Sequence, residues 1–486
     1  MLDLYTVLGV TPDALEDDIR RAYRSAARRL HPDVNGHPGA ASQFRDITAA
    51  HEVLTNLTER VKYDNKRRQL GAGRQYFTLR VTPSARALPA LNETQVLYLL
   101  IELIPDPTID RSTTSTPLNL TLVIDHSTSM NGVRLERTKV AAHRLIDQLA
   151  ESDIFSVVAF SDRAEVLVKA APLTDKNVAK TMITTIQAGG STKIYEGLQA
   201  AYDQNRRYAG KNFANHIIFI TDGRTYGDEA KCLTLAERCN EEGIGISAMG
   251  IGDEWNDVFL DQLASITGGT SQYINSPNVV QRLLDERLRS LGQAVAERVT
   301  LSLAPDPDII IEGGFRLSPS AQPISIESDP VPIGQVLAQL PTSAIFTLQL
   351  PPLTEVGTRS VIRFAIEGDI LWDKRTNYRL VADISLEVMT NPPVEEPPRI
   401  ILDALGKLAL YRIQQKAAEA AARGDIREAT RKLETVATRL LAGGHTELAN
   451  IAMAEARRLS STHAISEEAQ KALKYGTRHL LLTSGE

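Results

Sequence analysis

The chain has 486 residues, 43% hydrophobic and 23% charged, with two cysteines and a formal net charge of −6. That length exceeds one hydrophobic core and predicts about three domains, and the modest charge excludes a bulk electrostatic binder of nucleic acid or anionic membrane. Met1-Leu2-Asp3-Leu4 lacks a basic and then apolar leader. The most apolar run, Val96 to Ile104, is interrupted by Glu102 and too short to span a bilayer. A cytoplasmic protein with no membrane span and no nucleic-acid partner is expected.

Residues 1–70 read as short helices, with apolar residues at helical spacing over Leu2 to Leu8, Leu15 to Leu30 and Ala41 to Leu57. After Gly71-Ala72-Gly73 the pattern alternates from Tyr76 to about Thr116, as strands do. From Leu118 to about Tyr273 apolar strands (118–124, 154–160, 216–221, 244–251) alternate with amphipathic helices near 135–150, 176–186, 194–206 and 229–242. Such alternation predicts a mostly parallel sheet covered on both faces, with ligands at the carboxyl ends of its strands. Cys232 and Cys239, seven apart on one of these helices, are expected to pack rather than form a disulfide framework.

A helix is expected from Pro277 to about Glu297, then strands and Pro-rich turns over 298–390. Strands on both sides of the α/β unit predict one β-sandwich into which that unit is inserted. The expected divisions are 1–70, 75–116, 117–295, 296–395 and 399–486. The last is helical: Asp425-Ile426-Arg427-Glu428 has capping-box form and Ser466-Glu467-Glu468 opens another helix. No fixed repeat recurs there, which favours a plain helical bundle.

His31-Pro32-Asp33 follows a helix carrying five arginines against two aspartates over 17–30. Pro32 ends that helix. Arg20, Arg21, Arg24 and Arg28 fall on one face, with Ile19, Tyr23, Ala26 and Leu30 on the other. A solvated charged face is the ordinary reading of such a stripe, and any helix can stop at a proline. The ordered series Leu4-Tyr5-Thr6-Val7-Leu8-Gly9-Val10, the arginine helix, His31-Pro32-Asp33, Phe44 with Ile47, Ala50, Val53 and Leu54, and Tyr63-Asp64 nevertheless resembles a whole J-domain. The resemblance implies stimulation of ATP hydrolysis in a DnaK-type chaperone by His31, Pro32 and Asp33, with Arg20, Arg21 and Arg24 steering toward an acidic partner surface. No Gly/Phe-rich linker or Cys-x-x-Cys repeat follows, which fits the subtype whose client specificity comes from other domains.

The run Thr121-Leu122-Val123-Ile124-Asp125-His126-Ser127-Thr128-Ser129-Met130 delivers one carboxylate and two hydroxyls at alternate positions beyond a strand. Thr192, in Gly189-Gly190-Ser191-Thr192, and Asp222, where the run Ile218-Phe219-Ile220-Thr221 stops, complete a set of hard oxygen donors. Such donors suit Mg²⁺, with Mn²⁺ or Ca²⁺ as alternatives, rather than zinc. The competing structural reading has Asp125 capping the helix near Val133, the serines making loop hydrogen bonds, and Asp222-Gly223 forming an ordinary turn.

Residues 117–275 resemble a von Willebrand factor type A domain, whose metal-ion-dependent adhesion site uses Asp-x-Ser-x-Ser, a Thr and an Asp. The resemblance implies a doubly wound, Rossmann-like fold. It also implies direct metal contacts from Ser127, Ser129 and, in a ligand-ready state, Thr192, with Asp125 and Asp222 often acting through water. Thr128 departs from the Gly found in many members, and His126, on an alternate position, is expected to point away. The split sandwich and helical tail resemble, by pattern only, bacterial intracellular type A proteins and the inter-alpha-trypsin-inhibitor heavy-chain arrangement.

Together these readings predict a non-enzymatic co-chaperone adaptor that triggers a DnaK-type ATPase and holds a protein partner through an acidic side chain on Mg²⁺. The alternative is a metal-dependent assembly module working with a MoxR-type ATPase without chaperone coupling. A Mg²⁺ enzyme is disfavoured, because no Gly-x-x-x-x-Gly-Lys-Ser/Thr motif is present and Gly250-Ile251-Gly252 is too short for a nucleotide fingerprint.

Overall fold

The computed structural model describes residues 3–69, 76–106, 117–210, 213–224, 227–327, 329–338, 340–371, 373 and 375–482. Leu2, the Gly71-Ala72-Gly73 break and the stretch 107–116 lie outside the described residues. The chain divides into two compact units: 1–114 with 294–319 and 323–401, and 115–293 with 320–322 and 402–486.

The first unit begins with helices α1 (Leu4–Leu8), α2 (Glu16–Leu30), α3 (Pro38–Thr55) and α4 (Leu57–Gln69). Asp3 caps α1 by accepting from Tyr5 N, and Gly9, at φ 70°, ends it in the left-handed region that glycine enters without strain. Ile19, Ala26 and Leu30 of α2 are buried against Leu4, Tyr5, Ile47 and Leu54, while Arg20, Arg21, Arg24 and Arg28 stay exposed. The Tyr63-Asp64 pair ties α4 to α1: the Tyr63 hydroxyl accepts from Leu4 N at 2.9 Å, and Asp64 accepts from the Tyr5 hydroxyl at 2.9 Å.

Strands β1 (Phe77–Pro83), β2 (Ala87–Pro89) and β3 (Gln95–Pro105) follow. The chain then makes the α/β unit: β4 (Leu118–Asp125), α5 (Val133–Gln148), β5 (Ile154–Phe160), β6 (Ala164–Pro172), α6 (Lys176–Thr184), α7 (Ile194–Asn205), β7 (Ala214–Thr221), α8 (Glu229–Glu241), β8 (Gly245–Ile251), α9 (Asp257–Ile266), β9 (Thr270–Ile274) and α10 (Val280–Gly292). Strands resume with β10 (Ala294–Pro305), β11 (Ile310–Ser318), β12 (Gln322–Ile324), β13 (Val331–Leu337), β14 (Thr342–Leu350), β15 (Gly357–Ile370) and β16 (Arg375–Met389). Helices α11 (Arg399–Ala422), α12 (Ile426–Ala442), α13 (Thr446–Thr462) and α14 (Glu467–Leu482) close the described chain.

Strands from both sides of the α/β unit form the sandwich, in sheets ordered β1-β3-β14-β11-β12 and β13-β10-β15-β16-β2. Leu97, Leu99, Leu301, Leu303, Phe346 and Phe364 fill the space between them. The expected architecture of a small helical domain, an inserted doubly wound domain and a helical C-terminal region is present. One helix differs from expectation. It stops at Gly292, and the chain enters β10 at Ala294, with Val295 and Ala296 buried in the sandwich core. Burial there overrides helix propensity. Helix α9 and edge strands β6 and β9 were not foreseen, because their patterns are short and only partly buried.

The helical domain is docked on the sandwich rather than tethered to it. A Cβ at Gly39 of α3 would lie 1.9 Å from the Leu303 carbonyl oxygen, so only glycine permits this approach to β10. Gln43 Nε2 donates to the Ser302 hydroxyl and carbonyl at 3.2 and 3.3 Å, and Asn35 Nδ2 donates to the Pro305 carbonyl at 2.8 Å. Buried Arg363 donates to the Val7 carbonyl at 3.3 Å while paired with Asp383 at 2.6 Å.

In the second unit the sheet order is β6-β5-β4-β7-β8-β9, parallel except for the β5–β6 pair. Central β4 is buried along its whole length, as a strand covered on both faces must be. Val123, Phe160 and Phe219 pack against α7, α8 and α9, with free Cys232 and Cys239 inside the same cluster, as expected. Asp425 caps α12 by accepting from Glu428 N at 3.0 Å. Helix α14 lies on the α/β domain: Lys474 and Arg478 both meet Asp261, at 2.8 and 2.6 Å.

Candidate functional site

Two groups of sequence-flagged residues occupy contrasting settings. The first is the loop after α2. Because a residue before proline is pushed out of helical geometry, His31 adopts φ −62°, ψ 131° and ends the helix. Its Nδ1 accepts from Asp33 N at 3.1 Å, and its ring stands edge-on to Phe44 at 5.1 Å, so the imidazole is oriented by its own loop and by α3. The side chains of His31 and Asp33 are 44% and 87% exposed. Arg20 and Arg21 are also exposed and make helical-spacing pairs, with Glu16 at 2.5 Å and Asp18 at 3.6 Å. Arg29 turns the other way, to Asp383 and Ser360 of the sandwich. The basic stripe therefore faces solvent while its neighbours hold the domain in place.

The second group sits at the carboxyl ends of β4 and β7, where hydrogen bonds link Asp125, Ser127, Ser129 and Asp222 and the Thr192 loop lies against Gly223. Asp125, fully buried, accepts from Ser127 N at 2.8 Å and from the Thr221 hydroxyl at 2.6 Å. It does not cap α5, whose N-cap is Gly132. The Ser127 and Ser129 hydroxyls are 3.1 Å apart, and Ser129 donates onward to Asp222 Oδ1 at 2.7 Å. Thr192 closes the arrangement: a Cβ at Gly223 would lie 2.7 Å from its hydroxyl, so the glycine after Asp222 lets the two loops meet. Burial pushes the Asp125 carboxyl up to about 6, against the Thr221 and Ser127 hydrogen bonds that lower it.

The alternate residues explain how the loops hold register. Thr128 N and Oγ1 both donate to the Gly190 carbonyl, at 3.1 and 3.0 Å, and Gly189 N donates to the His126 carbonyl at 2.8 Å. His126 Nδ1 lies 2.9 Å from the Gln187 carbonyl, turned away from the carboxylates as expected. Thr128 thus zips the loop after β4 to the Thr192 loop.

Two participants were missed in the sequence. Thr221 was read only as the end of an apolar run. Arg134 places Nη1 2.6 Å from Asp222 Oδ2. A signal for it existed: an arginine in the first turn of a helix opposes the macrodipole and calls for an acidic partner.

Comparison with known proteins gives three separate matches: a DnaJ domain at residues 3–64, a von Willebrand factor type A domain at 119–286, and an Sll0103-like, C-terminal alpha-helical domain at 399–483. The chain joins a DnaJ domain to a von Willebrand factor type A domain. It is 29% identical to uncharacterized protein sll0103 of Synechocystis sp. over 73% of this chain and 86% of that one. It is 52% identical to the chaperone protein DnaJ of a Synechococcus species over 13% of this chain, but spans only 16% of that relative. Two solved structures share the fold: a von Willebrand factor type A protein from Catenulispora acidiphila (TM-score 0.65, 17% identity, 84% of this chain and 98% of that one) and the ArnB paralog VWA2 from Sulfolobus acidocaldarius (TM-score 0.51, 16% identity, 84% and 99%).

DnaJ and type A domains are interaction modules rather than catalytic ones. In this chain the DnaJ domain presents His31-Pro32-Asp33 to solvent, and the type A domain buries Asp125, Ser127 and Asp222 while Ser129 is exposed and Thr192 half-buried. Among the described residues no helix is long and apolar enough to cross a membrane.

Proposed function

We propose that the chain is a co-chaperone adaptor. The DnaJ domain, through His31, Pro32 and Asp33 with Arg20, Arg21 and Arg24 as steering charges, engages and stimulates a DnaK-type ATPase. The type A domain, through Asp125, Ser127, Ser129, Thr192 and Asp222, holds Mg²⁺, with Mn²⁺ or Ca²⁺ as substitutes, and binds a protein partner that donates an acidic side chain. The working divisions are those expected above, 1–70 for the chaperone-facing part and 117–295 for the partner-facing part, in a cytoplasmic protein.

The observation that supports this reading is the hydrogen-bonded group Asp125, Ser127, Ser129 and Asp222, with Thr192 beside Gly223, in the same chain as an exposed His-Pro-Asp loop. The donor set fits a small divalent cation. It contains hydroxyls and carboxylates alone, and its buried Asp125 accepts from uncharged donors, Ser127 N and the Thr221 hydroxyl. When bound, the cation supplies a positive centre with a coordination position that a partner carboxylate can fill. The protein's own part is to fix the loops: Thr128 and His126 pin the Asp-x-Ser-x-Ser segment to residues 187–190, and Gly223 lets Thr192 approach.

Two measurements test it separately. The full chain should stimulate a purified DnaK-type ATPase, and His31→Gln should abolish that effect; no stimulation from the unaltered chain would remove the chaperone half. Mg²⁺-dependent capture of a partner should be lost in Asp125→Ala and kept in His31→Gln. Capture indifferent to chelation would remove the metal half.

A further inference from the structure

We infer that Arg134 is a resident counter-cation of the oxygen site, which a divalent ion must displace from Asp222, so that Arg134 sets the affinity of the site for metal. The inference rests on the reading of those five residues as a metal centre.

The two carboxylates of the site are satisfied in different ways. Asp125 is held by uncharged donors, Ser127 N and the Thr221 hydroxyl. Asp222 is equally buried, yet only its Oδ1 accepts from a neutral group, Ser129 Oγ; its Oδ2 faces the Arg134 guanidinium at 2.6 Å. Arg134 also reaches toward the Ser129 carbonyl at 3.4 Å, so one side chain grips both the acid and the loop that carries the two serines. A buried carboxylate without a cation is strongly disfavoured, and an arginine in the first turn of α5 opposes the helix dipole. Each charge removes the other's problem.

The guanidinium has a built seat. Gly252, at φ 71°, lies under its second terminal nitrogen: a Cβ there would sit 2.9 Å from Arg134 Nη2. The turn that carries Gly252 is pinned. Trp255 Nε1 donates to the Gly252 carbonyl at 2.7 Å, and Lys471 of α14 donates to the Trp255 carbonyl at 2.7 Å and to the Asp253 carbonyl. Arg224, two residues beyond Asp222, donates to the Glu254 carbonyl at 2.7 Å and pairs with Glu467 of α14. The loop bearing the acid and the turn bearing the glycine are therefore braced together around Arg134.

Asp222 Oδ2 thus has a cationic partner before any metal arrives. Metal uptake is an exchange of one positive charge for another, which lowers net affinity relative to an open carboxylate. The displaced guanidinium is 34% exposed and has water to turn into.

The test titrates the full chain, stripped with EDTA, with Mg²⁺ by calorimetry and with Mn²⁺ by electron paramagnetic resonance. Arg134→Gln should bind both ions about ten-fold more tightly than the unaltered chain, since the competing charge is gone. Arg134→Lys, a compact charge without the planar fork, should tighten binding by about two- to five-fold and serves if the Gln variant folds poorly. Thermal unfolding gives a second readout: Arg134→Gln should melt lower than the unaltered chain in EDTA and gain more from saturating Mg²⁺. Equal affinities in the unaltered chain and both variants would overturn the inference and leave the metal reading intact. Absence of binding in all three at millimolar ion would overturn both.

Discussion

At the His31-Pro32-Asp33 loop the side chains that matter are exposed and have few internal partners. At the ends of β4 and β7 the carboxylates are buried and bonded to neighbouring side chains and backbone. Asp33 is 87% exposed, whereas Asp125 and Asp222 have no exposed surface. A surface that works by being touched must be presented by something rigid, and the sandwich does this by gripping the back of the DnaJ domain through Gly39, Gln43 and Asn35. Buried carboxylates must be satisfied within the fold, and Ser129, Thr221 and Arg134 do this. The first is expected to lose its exposed residues with little effect on the fold, and the second is not.

The largest expected effect lies in the bracing of the buried site. Burial alone would raise the Asp261 carboxyl, but the Arg478 and Lys474 charges outweigh it and hold it well below the usual carboxylate range. Arg478→Ala should cost about 3–5 kcal/mol, read by urea unfolding, because it strips the main partner from a buried acid. Since the folded-state value is depressed, this stabilisation is complete above about pH 4 and falls as pH drops below it toward the folded value. Asp261→Asn should flatten that acid limb of a melting-temperature profile.

Next comes Asp125→Ala, which leaves Ser127 N and the Thr221 hydroxyl without their acceptor. It should cost about 2–3 kcal/mol even in EDTA, and a neutral result would break the contrast drawn above. Gly39→Ala should cost about 1–3 kcal/mol through overpacking against the Leu303 carbonyl. Limited proteolysis should then cut near the DnaJ domain faster, while His31 stays untouched. The smallest effect belongs to His31→Gln, within about 0.5 kcal/mol of the unaltered chain in thermal unfolding. A large destabilisation there would show that the exposed loop is also a structural element.

Much of this was legible because it is local. Period and punctuation marked α2, β4, β7 and the cap at Asp425, and the alternate position of His126 already set it apart from Asp125, Ser127 and Ser129. Illegible were the features that depend on distant partners. Arg134 lies 88 residues from Asp222, and nothing in its own helix names that acid. Asn35 lies 270 residues from Pro305. The helix expected from Pro277 to Glu297 is shorter for the same reason: the sequence continues its apolar pattern locally, and only the sandwich core makes Val295 and Ala296 part of a strand.

The sequence by itself determined the modules, their order and the chemical character of their motifs, because periodicity, proline geometry and donor type act over a few residues. Tertiary structure alone decided that the DnaJ domain is seated on the sandwich, that Asp222 already has a cation, and that α14 braces the loop beside it. Those outcomes arise from burial and charge pairing between segments that meet only when the chain has folded.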